Sequence, residues 1–435
     1  MSMMTDTSAD PAALAAMSAP SYHPGPRWQL RYFSIFGGQS LSLVGSALTQ
    51  FVLMWWITSM TGSVAALAMA GVAALLPQAL LAPLGGTLAD RYSRRLLMIV
   101  TDLISALCMM VLIWLFASGG IALWHIYLAM FMRSAAQAFQ MPAASASVAM
   151  LVPPDFLQRA SGLSQMLMGL VTIAAAPLGA LAMSLMPIGW ALGIDVFTAI
   201  FGIVPLLIFA VPQHAMPHEE RRGLWHEFKD GVALVWSDAG LRNLYGLLAL
   251  VVLLLMPLHT LVPLLIMTHF GGGAPEVAML EGVAGIGMIL GGVAASLFVP
   301  RRAMRRALGA LITANLALML TGLVPGHIFW LGMIFWAVGS VALVVGNSPM
   351  VAILQAVVPN HLQGRVFSLL SMVMGVGAPI GLAIATPVGE AIGVRWLFVV
   401  AGLLGALICV AGLFSRPLMR LDDRLPPPPT PQVSS

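Results

Sequence analysis

Twelve apolar segments, each about long enough to cross a bilayer, decide what this chain can fold into. They run over 31–58, 64–88, 96–118, 121–146, 161–185 and 189–211. A second set covers 241–268, 277–299, 303–324, 328–351, 364–386 and 395–414. A helix needs about 20 apolar residues to span the hydrocarbon core. Inside lipid each backbone N–H and C=O must find a partner within the protein, so spans are helices or closed barrels. Only 8% of the 435 residues are charged, against about 25% in soluble domains. An ordinary soluble fold is excluded. The two cysteines, Cys108 and Cys409, also exclude a disulfide framework or a four-cysteine metal site. The expected class is an all-α polytopic membrane protein with twelve transmembrane helices, binding no metal and no cofactor.

The basic residues give an independent check on that count. With a cytoplasmic amino terminus, eighteen of the twenty lysines and arginines fall on cytoplasmic connections or tails. Arg395 lies outside and Arg133 lies within a span. A miscount by one helix would scatter the charges over both faces, so the positive-inside rule predicts both termini in the cytoplasm. It also accounts for the net charge of +4 without a nucleic-acid partner. The expected division is a disordered arm (1–28), a six-helix half (29–211), a cytoplasmic linker (212–240), a second six-helix half (241–414) and a tail (415–435). Within the linker, GLWHEFKDGVALVWSDAGL reads as an amphipathic helix on the membrane surface.

The two halves are weak repeats of one another. A shift of 206 residues carries Gly85-Gly86 onto Gly291-Gly292, Val152-Pro153 with Arg159 onto Val358-Pro359 with Arg365, and Trp190 onto Trp396. Six spans plus six parallel-repeated spans is a transporter arrangement with the substrate site between the halves.

Between the second and third segments stands Gly86-Thr-Leu-Ala-Asp90-Arg91-Tyr-Ser93-Arg94-Arg95. It resembles the signature loop of the major facilitator superfamily, G-x-x-x-D-R-x-G-R-R, with Ser93 in place of the second Gly. Gly86 would let two helices approach closely, while Asp90 would accept from nearby basic groups or cap the next helix. Together with Arg91, Arg94 and Arg95 they form a candidate gating latch. The second copy has Ser296 and Pro300 where Asp90 and Arg94 stand, so the latch is expected in the first half only. Further stretches are similar to the macrolide-efflux permeases: FGGQSLSLVGSALTQF (36–51), RSAAQAFQMPA (133–143), LVPPDFLQRASGLSQ (151–165), GRVFSL (364–369) and PIGL (379–382). That family belongs to the drug:proton antiporters, and siderophore exporters are related to it. The resemblance implies a monomeric secondary transporter in the cytoplasmic membrane, surrounded by lipid. It would export a small amphipathic substrate, a macrolide for example, in exchange for protons by alternating access. The antiporter signature of the fifth span is reduced here to Ala176-Pro177-Leu178-Gly179. The resemblance also implies that spans one, four, seven and ten line the cavity.

Charges at bilayer depth cost at least about 2.5–3.5 kcal/mol and each needs a reason. Arg133, Gln137 and Gln140 share one face of span four, at i, i+4 and i+7. Span one offers Gln39, Ser42, Ser46 and Thr49 or Gln50; span ten offers Ser340, Asn347 and Gln355. These are candidate substrate contacts, or bonds between neighbouring helices. Trp55 beside the polar face of span one and His259 in span seven complete the substrate set. Glu281, Asp102 and Asp195 are candidate proton carriers, Glu281 first among them, and Arg133 would hold one of the acids ionised. Asp102 reads equally as a structural partner of the signature loop and Asp195 as a helix-end group. No Walker loop, G-x-S-x-G elbow or H-E-x-x-H pair is present, so an enzyme is not expected. The remaining rivals are a metabolite exporter of the same fold and a non-transporting receptor built on it.

Overall fold

The computed structural model describes residues 25–211, 232–233, 235–297, 302–358 and 360–424. The arm before residue 25, most of the linker helix and the tail from 425 lie outside the described residues. The first six long helices are α1 (Trp28–Thr61), α2 (Val64–Arg91), α3 (Arg94–Ser118), α4 (Leu123–Leu151), α5 (Leu157–Leu185) and α6 (Ile188–Ile208). The second six are α7 (Ala239–Leu265), α8 (Ala274–Leu297), α9 (Ala303–Leu323), α10 (Phe329–Val357), α11 (Asn360–Ile392) and α12 (Val394–Leu413). A short α13 (Arg416–Met419) follows. Among the described residues, eleven helices are long and apolar enough to cross a membrane. The twelfth, α4, is diluted by Arg133, two glutamines and three serines, and packs into the bundle beside α2 and α3.

The internal repeat is reproduced in three dimensions. Advancing α4 by 206 residues gives 329–357, the bounds of α10, and α6 likewise lands on α12 to within one residue. In the first half α1 packs on α5 and α6, α4 on α2 and α3, and α3 on α6. The second half repeats every one of these pairs six helices later. Close approach depends on small residues. Pro142 leaves the carbonyl of Ala138 without its helical donor, and Gly85 of α2 presses on that carbonyl where any side chain would collide. Gly291 does the same for α8 on α10, against Val341.

The halves meet through α2 on α11 and α5 on α8. Val64 packs at Gly389, Gly71 at Leu382 and Thr260, and Ala79 at Gly375. On the other seam Ile173 packs at Gly285, and Ala176 and Ala180 join Ala274 and Ala278 in one apolar cluster. These contacts start at the face opposite the arginines and reach mid-helix. The arginine-bearing face has its own anchors. The Arg94 guanidinium donates to Ala146 O of α4 (2.8 Å), and Arg95 donates to Leu206 O and Leu207 O at the end of α6. The two α6 carbonyls are terminal, so they have no helical donor and carry the negative end of the helix dipole. Arg395, on the opposite face, is held similarly by Gly322 O at the end of α9 (3.0 Å).

Candidate functional site: a polar cavity in the amino-terminal half

A cavity of about 430 Å³ extends from mid-helix toward the arginine-bearing face, and all of its described lining residues belong to α1–α5. Leu43, Leu75, Met130 and Met168 form its apolar bed; Gln39, Gln50, Gln78, Gln137 and Gln140 supply carboxamides. Two buried ionic arrangements stand behind that surface.

The first centres on Arg133, ten residues into α4 and therefore about 15 Å from its start. Its guanidinium lies 3.1 Å from the carboxylate of Asp195 on α6, with side-chain exposures of 9% and 2%. Arg133 also donates to Ser105 Oγ (2.9 Å), to Ser46 O (3.3 Å) and to Thr49 Oγ1 (3.4 Å). Ser46 Oγ donates to Asp195 (2.7 Å). Asp195 is thus an interior partner of Arg133 and not a helix-end group, because α6 turns that face toward α1 and α4.

The second centres on Asp102 of α3, which is 3% exposed. It accepts from Gln39 Nε2 (2.8 Å), Gln140 Nε2 (2.7 Å) and Ser42 Oγ (3.5 Å). Gln140 also donates to Gln39 Oε1 (3.1 Å), and Gln39 to Gly202 O (3.2 Å). Gly202 makes the cluster possible, since a Cβ there would stand 3.1 Å from Asp102 Oδ2. Every donor to Asp102 is neutral. Its bonds run inward to α1 and α4, and none of its described partners belongs to the signature loop.

The remaining sequence candidates divide by place. Gln39, Ser46, Gln50, Gln137 and Gln140 line the cavity with Arg133 and Asp102. Trp55 does not; it packs into the apolar seal where α5 meets α8. His259 meets Trp336 of α10 edge to face with ring centroids 5.3 Å apart, beside a second cavity of about 20 Å³ inside the other half. Asn347 is exposed and continues the α10 face that carries Trp336, Ser340 and Leu343. Spans seven and ten therefore do not line the large cavity, contrary to expectation, because their interior faces are filled by aromatic and aliphatic packing. Glu281 lies in the α8 register of Ala274, Ala278 and Gly285, on the seam with α5, and bonds to no described residue. Ser105 and Gln78 belong to the site and carry signals the polar-face search passed over: Ser105 sits one turn beyond Asp102, and Gln78 interrupts an apolar run after Pro77.

In the signature loop the N-cap of α3 is Ser93, whose side chain accepts from Leu96 N (3.4 Å). The departure from the motif thereby supplies a helix cap. Arg91 is exposed, and the side chains of Gly86 and Asp90 lie outside those described.

A family model described as Major Facilitator Superfamily matches residues 35–374. The chain belongs to the major facilitator superfamily. It is 30% identical to macrolide efflux protein A of Streptococcus pyogenes over 395 residues, covering 88% of this chain and 95% of that one. To the multidrug efflux pump Tap of Mycobacterium tuberculosis it is 25% identical over 412 residues, 91% and 95% of the two chains. Among solved structures, an inward-facing bacterial homologue of the human lysosomal transporter Spinster matches with a TM-score of 0.64 at 14% identity, covering 92% and 98%. A POT family transporter in complex with 5-aminolevulinic acid matches with 0.69 at 13%, covering 93% and 99%. The superfamily is one of transporters for small substrates, which assigns this multi-pass chain to transport and not to catalysis.

Proposed function

We propose that this protein is a proton-driven exporter of amphipathic drugs of the macrolide kind, working as a monomer in the cytoplasmic membrane of a bacterium. The observation that carries the reading is the cavity: an apolar bed with carboxamide edges, backed by buried carboxylates, in a chain similar along most of its length to a macrolide efflux protein. The arginine distribution supports placing the cavity mouth and both termini on the cytoplasmic side. The described seams close the outer end, as an inward-open carrier requires.

Proton coupling is assigned to Asp102, to the Arg133–Asp195 pair and to Glu281. Asp102 is the acid that the cavity reaches, and its neutral donors leave one charge for a proton to remove. Arg133 pairs with Asp195 and offsets its charge. Glu281 moves between a closed seam and an open one as the halves rock, which alters its hydration. The test is accumulation of a labelled macrolide in efflux-deficient cells expressing the chain, with and without a protonophore. Lower accumulation that rises when the gradient collapses is the expected result. Unchanged accumulation, with the protein present in the membrane, overturns the assignment and directs the search to siderophores and other metabolites.

A further inference from the structure

The internal repeat supplies its own control for the cavity. At an offset of 206, Asp102, Arg133, Gln137, Gln140 and Asp195 correspond to Leu308, Gly339, Leu343, Gly346 and Ala401. The second half builds the same helix pairings without these polar groups, so the bundle does not need them to pack. Their free energy of burial is an expense without structural return, and it is confined to one half. Among the described residues, all those that line the large cavity also come from that half.

Within that surface the charges are already engaged. Arg133 and Asp195 neutralise each other, and Asp102 faces the amide hydrogens of Gln39 and Gln140. Gln50 on α1 and Gln137 on α4 line the cavity and bond to no described residue. A free carboxamide presents both a donor and an acceptor. Hydroxyl, ester and ketone groups match it without requiring a charge.

We infer that substrate recognition is one-sided: the amino-terminal half alone reads the ligand, through the neutral amides of Gln50 and Gln137. The ligand class is an amphiphile whose polar face is uncharged and rich in hydroxyl and carbonyl groups. The other half serves as the moving lid. This rests on the drug-export reading and specifies which face of the drug is read.

The experiment is equilibrium binding to the purified full-length protein in lipid nanodiscs, with no ion gradient. Three probes are used: a macrolide bearing its amino sugar, the neutral macrolactone lacking it, and the permanent cation tetraphenylphosphonium. Gln50→Ala and Gln137→Ala are each expected to weaken both lactones about three- to tenfold, one lost hydrogen bond apiece. The repeat-related Met256→Ala and Leu343→Ala, and Asn347→Ala, are expected to leave affinity within about twofold. Gln137→Glu, which keeps the shape and changes the charge, separates loss of recognition from loss of fold, since its thermal melt is read beside its affinity. Equal losses from variants of both halves overturn one-sidedness. Binding of the amino-sugar macrolide or the cation without the neutral lactone overturns the neutral class and points to Asp102 as the recognition group. Binding of none of the three overturns this inference and the drug-export reading together. Binding as expected without transport in cells sinks the export reading alone.

Discussion

Arg133 and Asp195 are a buried ion pair, and such pairs are poor contributors to stability because both ions lose their hydration. Removing one partner is worse, since the other is left uncompensated. Arg133→Met or Asp195→Leu alone should therefore cost about 3–5 kcal/mol and lower the melting temperature sharply. The double variant should recover most of the loss while transport stays absent, because Gly339 and Ala401 occupy the related positions of a half that packs without ions. A double variant as unstable as the singles would mean that the pair holds the bundle together. At Gly202, valine would push its side chain into Asp102, Gln39 and Ser42; Gly202→Val should abolish transport while Gly162→Val, at a glycine with open space around it, should not. Parallel flux assays on the two variants decide this. Arg133 is legible in the sequence, since any charge at that depth stands out. Its partner is not, because nothing in a linear pattern says which face α6 turns toward α4.

The elements close on themselves by different devices in the two halves. In the first half Ser93 caps α3 from the adjacent residue. In the second half Arg302 gives α9 no side-chain cap, and Asp422, from beyond α12, accepts from Met304 N (2.7 Å) instead. The same tail pairs Arg424 with Asp238, the N-cap of α7, and buries Leu418 and Leu421. The tail thus clasps the starts of α7 and α9 together. Asp422→Ala should destabilise the detergent-solubilised protein by about 1 kcal/mol, the worth of an N-cap, and a melt of that variant unchanged from the parent would refute the clasp. Burial raises the Asp238 carboxyl, but Arg424 and the amides of Gly240 and Leu241 outweigh it and hold the group below its ordinary value. A depressed folded pKa means that its contribution is present above the unfolded value near 4 and is lost as pH falls through the folded one. Between pH 5 and 8 the clasp should be insensitive to pH, as melts across that range would show. Helix number and the repeat are legible because apolar length and arginine placement are one-dimensional signals. The clasp is not, because its partners are far apart in the chain. The repeat also slips between elements: Ala176-Pro177-Leu178-Gly179 matches Ala378-Pro379-Ile380-Gly381 at 202, four residues short of the offset elsewhere. Gly179 and Gly381 each press a helix onto its neighbour, at Leu48 and Phe51 in one half and at Leu253 and Pro257 in the other.

Over the whole molecule, two architecturally matched halves carry unequal chemistry: one holds the cavity and its buried charges, the other an apolar interior around His259 and Trp336. Sequence reasoning reaches the polar faces of α1 and α4 but distributes the cavity over both halves, because periodicity reveals that a face is polar and not which helix it confronts. Under the proposed alternating access, rocking of the halves opens the seam where Val64 meets Gly389. Val64→Cys with Gly389→Cys, oxidised to a disulfide, should therefore stop transport, and reduction should restore it. Full transport in the oxidised state would contradict the seam as a gate. Proton-driven export remains the central claim, and reconstituted vesicles test it most directly. With the purified protein in proteoliposomes, an acid-inside gradient should drive uptake of a labelled macrolide, and nigericin should abolish that uptake. Asp102→Asn should bind the drug yet fail to concentrate it. Equal uptake with and without the gradient, in vesicles shown to contain folded protein, would contradict the account.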